Sequence, residues 1–212
     1  QKTVPIIVTV IIVLILVIGV AVAVGQQVAT DDPSPGEPVA ADGSNIDAAD
    51  TLPVFPILRG TTLSLDTVRI PDELTEGPKL IVISYDRNQQ QTVNKWFEPL
   101  LALNENFPAL NGYYLPVFPK DTADSAAFII GGFVALADDD QQARTIAVFT
   151  DVEAFNELAG VENRDNVQLF LLDSQNRIRW RAQGDVSSDH LDMLRTVLTE
   201  LDTSTVATFS AS

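Results

Sequence analysis

Few residues of this chain are of a type suited to chemistry. His190 is the one histidine. It lies between Asp189 and Leu191, as a base oriented by an acid would, yet no nucleophile pattern accompanies it. It reads as a solvent-exposed helix residue. Asp138, Asp139 and Asp140 offer oxygen ligands to a hard cation. They lack the alternating acids and closing glutamate of a calcium loop, so they read as solvated loop acid. Arg177, Arg179 and Arg181 alternate, which on a strand puts them on one face with Ile178 and Trp180 on the other. Such a basic stripe in an acidic chain binds a partner's carboxylate or a headgroup, or pairs with the chain's own acids; the last is favoured. Trp96 and Trp180 read as packing rather than as a ligand stack. No phosphate-cradling glycine loop, paired-acid signature or histidine-rich site is visible, and neither a cofactor nor a metal is expected. Cysteine is absent from the sequence. That excludes thiol catalysis, disulfide exchange and thiolate metal sites.

The elements that must hold these residues alternate between strand and helix from Leu52 onward. Residues 80–85 form a continuous apolar run, the pattern of a strand covered on both faces. A helix is predicted over 90–103, with Val93, Trp96, Phe97, Leu100 and Leu101 on its buried face and Pro99 as a kink. Residues 113–118 form a second strand. Over 123–136, Phe128, Ile129, Phe133 and Leu136 stand at helical spacing, weakened by Gly131-Gly132. A third strand follows at 145–149. Asp151 then caps a helix carrying Phe155 and Leu158, which ends at Gly160. Residues 167–172 form a fourth strand, 173–176 a turn, and 178–181 a fifth, antiparallel strand. Ser187 or Ser188 caps a last helix with Leu191, Leu194, Val197 and Leu198 inward. Residues 202–212 read as a flexible tail. The order describes an α/β domain over 52–201: a mixed sheet with flanking helices, of the kind in which thioredoxin-like folds end.

Ahead of this domain stand two segments of different character. Residues 4–24 are 21 consecutive uncharged residues of Val, Ile, Leu and Ala, interrupted by Pro5, Thr9 and Gly19. As a helix the run is about 31 Å long, matching a bilayer core of about 30 Å. Residues 1–25 therefore read as a single-pass transmembrane anchor. Ala21-Val22-Ala23 resembles a signal cleavage site, but the run exceeds the roughly 7–15 residues of a signal peptide's apolar core. Gly19 and Ala23, four apart, let a second helix approach closely, or are small residues without a partner. Residues 26–51 are an acidic linker rich in Pro, Gly, Ser and Ala. Lys2 precedes the run and Asp31, Asp32 and Glu37 follow it, so the N-terminus is expected in the cytoplasm and the domain on the periplasmic or extracellular side of the cell membrane. The net charge is −16. With Lys2 set aside, 12 basic residues face 29 acidic ones, a net −17. That disfavours nucleic acid, whose affinity comes from neutralised phosphates. The expected partner is an integral membrane protein complex, engaged through anchor and linker.

A family likeness rests on particular residues. The run Val167-Gln168-Leu169-Phe170-Leu171-Leu172-Asp173-Ser174-Gln175-Asn176-Arg177-Ile178-Arg179-Trp180, with Gly184, resembles the C-terminal signature of the mitochondrial F-type ATP synthase assembly factors. Residues 93–99 and 158–163 are also similar to that family, and the likeness spreads over 79–201. It implies a thioredoxin-like fold without redox chemistry and a task of assisting a membrane subunit. The anchor and acidic linker depart from the family pattern. In thioredoxins a Cys-x-x-Cys pair follows the first core strand; Asn88, Gln89, Gln90 and Gln91 stand there instead, a vacant redox site. A cis-proline before the fourth strand is replaced by Asn166-Val167. The resemblance implies a non-enzymatic, redox-inactive accessory or assembly subunit of a respiratory, photosynthetic or ATP synthase complex. The alternatives are a periplasmic ligand-binding module, or a peroxiredoxin-like enzyme with altered, non-thiol chemistry. Both predict a polar pocket near Asp86, Arg87, Asn88 and Gln91.

Overall fold

The computed structural model describes residues 52–210. The proposed anchor, with Gly19 and Ala23, and the linker to residue 51 lie outside the described residues. Among the described residues no helix is long and apolar enough to cross a membrane.

The first two strands, β1 (Leu58–Thr62) and β2 (Thr67–Ile70), form a hairpin that the sequence pattern did not announce. Then come β3 (Lys79–Ser84), a 3-10 turn (Arg87–Gln89), α1 (Gln90–Asn106), β4 (Asn111–Pro119) and a second 3-10 turn (Lys120–Ser125). The chain continues through α2 (Ala126–Val134), α3 (Asp139–Arg144), β5 (Ile146–Thr150) and α4 (Val152–Ala159). It closes with β6 (Gln168–Leu172), β7 (Ile178–Gln183) and α5 (Ser188–Ser210). α5 thus takes in most of the stretch read as a tail. The sheet runs in the order β2-β1-β5-β4-β3-β6-β7. β3, β4 and β5 are parallel neighbours, and every other pairing is antiparallel.

Two faces follow from the strand period of two. Ile81, Ile83, Leu115, Val117, Ile146, Val148, Phe170 and Leu172 face α4 and the segment carrying Phe55. Leu80, Val82, Tyr114, Leu169 and Leu171 face α1 and α5. Every residue of β3 and β6 is buried, because helices cover both sides of the sheet there. The stripe that α1 turns inward is Val93, Trp96, Leu100 and Leu103. Phe97 lies at its margin, and Leu101, expected inside, is exposed. On α4 the spacing Val152, Phe155, Ala159 wins over Leu158, which points to solvent. Ser187 is the cap of α5: its Oγ accepts the backbone N–H of His190 at 3.2 Å.

The fifth predicted strand exists, but its parity breaks. Leu171 pairs with Trp180 and Leu172 with Ile178, so Arg179 is an extra residue in a β-bulge. Ile178 and Trp180 therefore enter opposite cores instead of sharing a face. The single-face arginine stripe does not survive this.

Candidate functional site

The position after β3 is built by a cap. Asp86 Oδ1 accepts the backbone N–H of Asn88 at 2.7 Å and starts the 3-10 turn. That tight turn points Gln89 inward, where it is 8% exposed, while Asn88 and Gln91 remain on the surface. Gln89 Oε1 accepts the backbone N–H groups of Tyr85 at 2.8 Å and Asp86 at 3.4 Å. Its Nε2 donates to the Arg164 carbonyl at 2.6 Å. One amide thus ties the end of β3 to the loop before β6. Both of its ends are satisfied inside the protein.

Beside it, the Tyr114 hydroxyl donates to Gln90 Oε1 at 3.1 Å and lies 2.8 Å from Ser84 Oγ. Gln90 Nε2 continues the chain to Asn94 Oδ1 at 3.0 Å. Burial pushes the Tyr114 phenol up to about 12, against the hydrogen bond from Ser84. Burial also raises Tyr85, whose hydroxyl donates to Asn156 Oδ1 at 2.7 Å. Both phenols stay protonated near neutral pH, so neither is a ready base or nucleophile. The Asp86 carboxylate is engaged in its cap. Two clefts of the described residues lie elsewhere. One, of about 10 Å³, sits between β3, β4 and α1; the other, of about 100 Å³, separates α1 from α3. Gln89 lines neither.

The arginines expected to act together serve two places. Arg177 Nε lies 3.2 Å and Arg179 Nη1 3.6 Å from Asp173 Oδ2, a carboxylate only 4% exposed. Arg181 stands on the other side of the bulge. Its Nη1 donates to the Ala159 carbonyl at 2.8 Å, and its guanidinium sits 5.4 Å from the Phe170 ring centre. Burial lowers its pKa. Asp173, read from the sequence only as a turn residue, is the hub that the pattern missed. Its signal was the flanking arginine pair.

His190 differs from its expected place on the solvent face. It is half-buried, with its ring stacked on Trp96 (5.9 Å between centres, 29° between planes) and edge-on to Trp180 at 6.2 Å. Its Nδ1 lies 3.1 Å from the Asp185 carbonyl. No triad forms there; the ring closes the rim of the core over Trp96, whose Nε1 donates to the Gly184 carbonyl at 3.0 Å. Trp96 and Trp180 are both buried, as expected. Asp138 is a helix cap, accepting the Gln141 backbone N–H at 2.8 Å. Among the described residues no cluster of three or more acids or histidines is arranged to hold a metal.

No protein-family model matches the chain, and no curated protein matches it. Solved structures do. Copper-bound ScoI of Arabidopsis thaliana superposes with a TM-score of 0.51 at 8% identity, covering 69% of this chain and 99% of that one. Copper-bound yeast Sco1 gives 0.50 at 9% identity, covering 69% and 92%. The pneumococcal exposed lipoprotein thioredoxin Etrx1, from Streptococcus pneumoniae strain TIGR4, gives 0.49 at 11% identity, covering 69% and 100%. At such identities the likeness to the Sco chains is one of architecture. A seven-stranded mixed sheet flanked by helices, with a capped turn after the first parallel strand and no cysteine in the sequence, is a thioredoxin-like fold without a thiol.

Proposed function

We propose that this chain is a membrane-anchored, redox-inactive accessory or assembly subunit of a bioenergetic membrane complex, respiratory, photosynthetic or ATP synthase, with no enzymatic activity of its own. The observation that carries the reading is Gln89. Where a thioredoxin presents its reactive pair, an inward amide is hydrogen-bonded at both ends inside the protein, which supports a corner used for structure rather than for chemistry. The resemblance of residues 167–180 to the ATP synthase assembly factors supports the assembly role. The bilayer-length run at 4–24 supports a single-pass anchor, with the domain held outside the cytoplasmic side by the acidic linker.

The Sco structures hold copper, a metal that takes thiolate, thioether and imidazole ligands. This chain does not fit it. The sequence has no cysteine, its one histidine is packed between two indoles, and its one methionine, Met193, is exposed on α5.

The test is gentle detergent extraction of native membranes, recovery through this chain, and mass spectrometry. Stoichiometric recovery with a complete complex makes it a subunit. Substoichiometric recovery with incomplete complexes makes it an assembly factor. Recovery of the chain alone overturns both, and ligand screening at Asp86, Arg87, Asn88 and Gln91 then becomes the next step.

A further inference from the structure

α2 and the three residues that follow it form an apolar stretch with large exposed side chains. Residues 126–137 read Ala-Ala-Phe-Ile-Ile-Gly-Gly-Phe-Val-Ala-Leu-Ala, twelve positions without a polar side chain. A helix lying on a sheet ordinarily shows solvent a polar face. Here Ile130 is the only fully buried residue of α2, with Phe133 packed edge-on to Tyr114 and Phe118. The outer side carries Phe128, 58% exposed, Val134, and beyond the helix Leu136, 78% exposed. A Cβ built on Gly131 or Gly132 meets no atom within 4 Å, so the space directly over both glycines is open.

Charge decides what covers this face. Asp121 and Asp124 stand before the helix and Asp138, Asp139 and Asp140 after it, all exposed. The nearby cations are committed elsewhere: Lys120 pairs with Asp151 at 3.4 Å, and Arg144 points Nη1 at the Gly112 carbonyl at 3.5 Å. An apolar strip with acid at both ends repels a second copy, which would bring the same acids and a net charge of −16. It also repels an anionic bilayer; helices that lie on membranes carry Lys and Arg around their apolar face. We infer that α2 is a docking face for an apolar helix of a neighbouring protein with Lys or Arg at both ends. The partner's apolar side covers Phe128, Val134 and Leu136, the two glycines admit its backbone, and the acidic ends receive its cations. The 100 Å³ cleft beginning at Asp138 lies at one of those ends; Asp140, Arg144 and the unpaired, buried Oδ1 of Asn104 line it. This inference rests on the accessory-subunit reading and specifies its contact surface.

The test uses the full chain in dodecylmaltoside micelles, with a benzophenone photo-crosslinking residue at position 128. The probes are a Leu/Ala helical peptide with two lysines at each end and the same peptide with glutamates. Crosslinking of the lysine peptide alone, weakened several-fold by 0.5 M salt, is expected. Phe128→Glu, measured by titration of labelled peptide, should weaken binding about tenfold or more. Leu158→Glu, on the opposite face of the sheet, should leave it unchanged. Equal capture of both peptides, a crosslinked dimer of this chain, crosslinks to detergent or lipid only, or none at all each overturns the proposal. If native extraction still recovers a complex when the peptides fail, the accessory reading stands and only this surface is lost.

Discussion

Gln89→Ala is the sharpest perturbation of the closed corner. It removes the acceptor for the Tyr85 and Asp86 N–H groups and the donor to the Arg164 carbonyl. The 3.4 Å contact to Asp86 contributes least. Each of the two short bonds contributes about 1 kcal/mol net. The Tyr85 N–H is left half-buried without a partner, which adds about 1 kcal/mol, whereas the Arg164 loop is exposed and water replaces its lost donor. The expected loss is roughly 2–3 kcal/mol, or about 5–10 °C in Tm for a domain of this size. Urea unfolding of the full chain in detergent, followed by the fluorescence of the buried Trp96 and Trp180, reads it directly. Gln89→Glu separates the two ends of the amide. Its carboxylate keeps the acceptor but faces the Arg164 carbonyl, so it is destabilised at pH 7. Relative to the wild type, it recovers as the pH falls toward about 4 and the acid regains a donor. A Gln89→Ala protein within about 0.5 kcal/mol of the wild type, or a Gln89→Glu difference that ignores pH, refutes the staple.

Asp173→Ala removes the carboxylate that Arg177 and Arg179 share and that accepts the backbone N–H groups of Gln175 and Arg177; a loss of about 3 kcal/mol in the same unfolding assay is expected. At alkaline pH, Tyr114 holds its proton up to about 12 in the folded protein while the unfolded chain loses it near 10, so the unfolded state binds fewer protons and stability falls across that window by up to about 3 kcal/mol. Tyr85 acts in the same direction. Lys79 opposes them: burial lowers its pKa, so its share of stability rises with pH up to 10.5. Tyr114→Phe should flatten the alkaline fall, checked by urea midpoints from pH 9 to 11.5. Gly112→Ala drives a Cβ into Leu100 Cδ2 and should cost about 1–3 kcal/mol; adding Leu100→Ala should then cost less than it does in the wild type, as a double-mutant cycle reads.

The sequence by itself determined the centre of this protein. Strands β3 and β6 are short apolar runs with no polar position to turn outward, so they had to lie between two layers. Asp151 and Gly160 bracket α4 because a carboxylate satisfies free N–H groups and glycine takes a φ of +65° without strain. The absence of thiol was also plain. Tertiary structure decided the rest, because periodicity names a stripe without naming what it meets. The edge hairpin β1–β2 is short and partly polar, and its pairing with β5 gives it a place that its pattern does not. One extra residue at Arg179 reset the parity of β7 and divided an arginine stripe that alternation had joined. Four neighbouring amides are alike on paper; a 3-10 turn chose Gln89 as the one that faces inward. His190 found the indole of Trp96 on α1, far away in sequence, as well as that of Trp180 on the strand just before its own helix. Over 123–136 helical spacing marked Phe128, Ile129, Phe133 and Leu136 without saying which side the sheet would cover; it covers the side holding Ile130 and leaves Phe128 and Leu136 exposed.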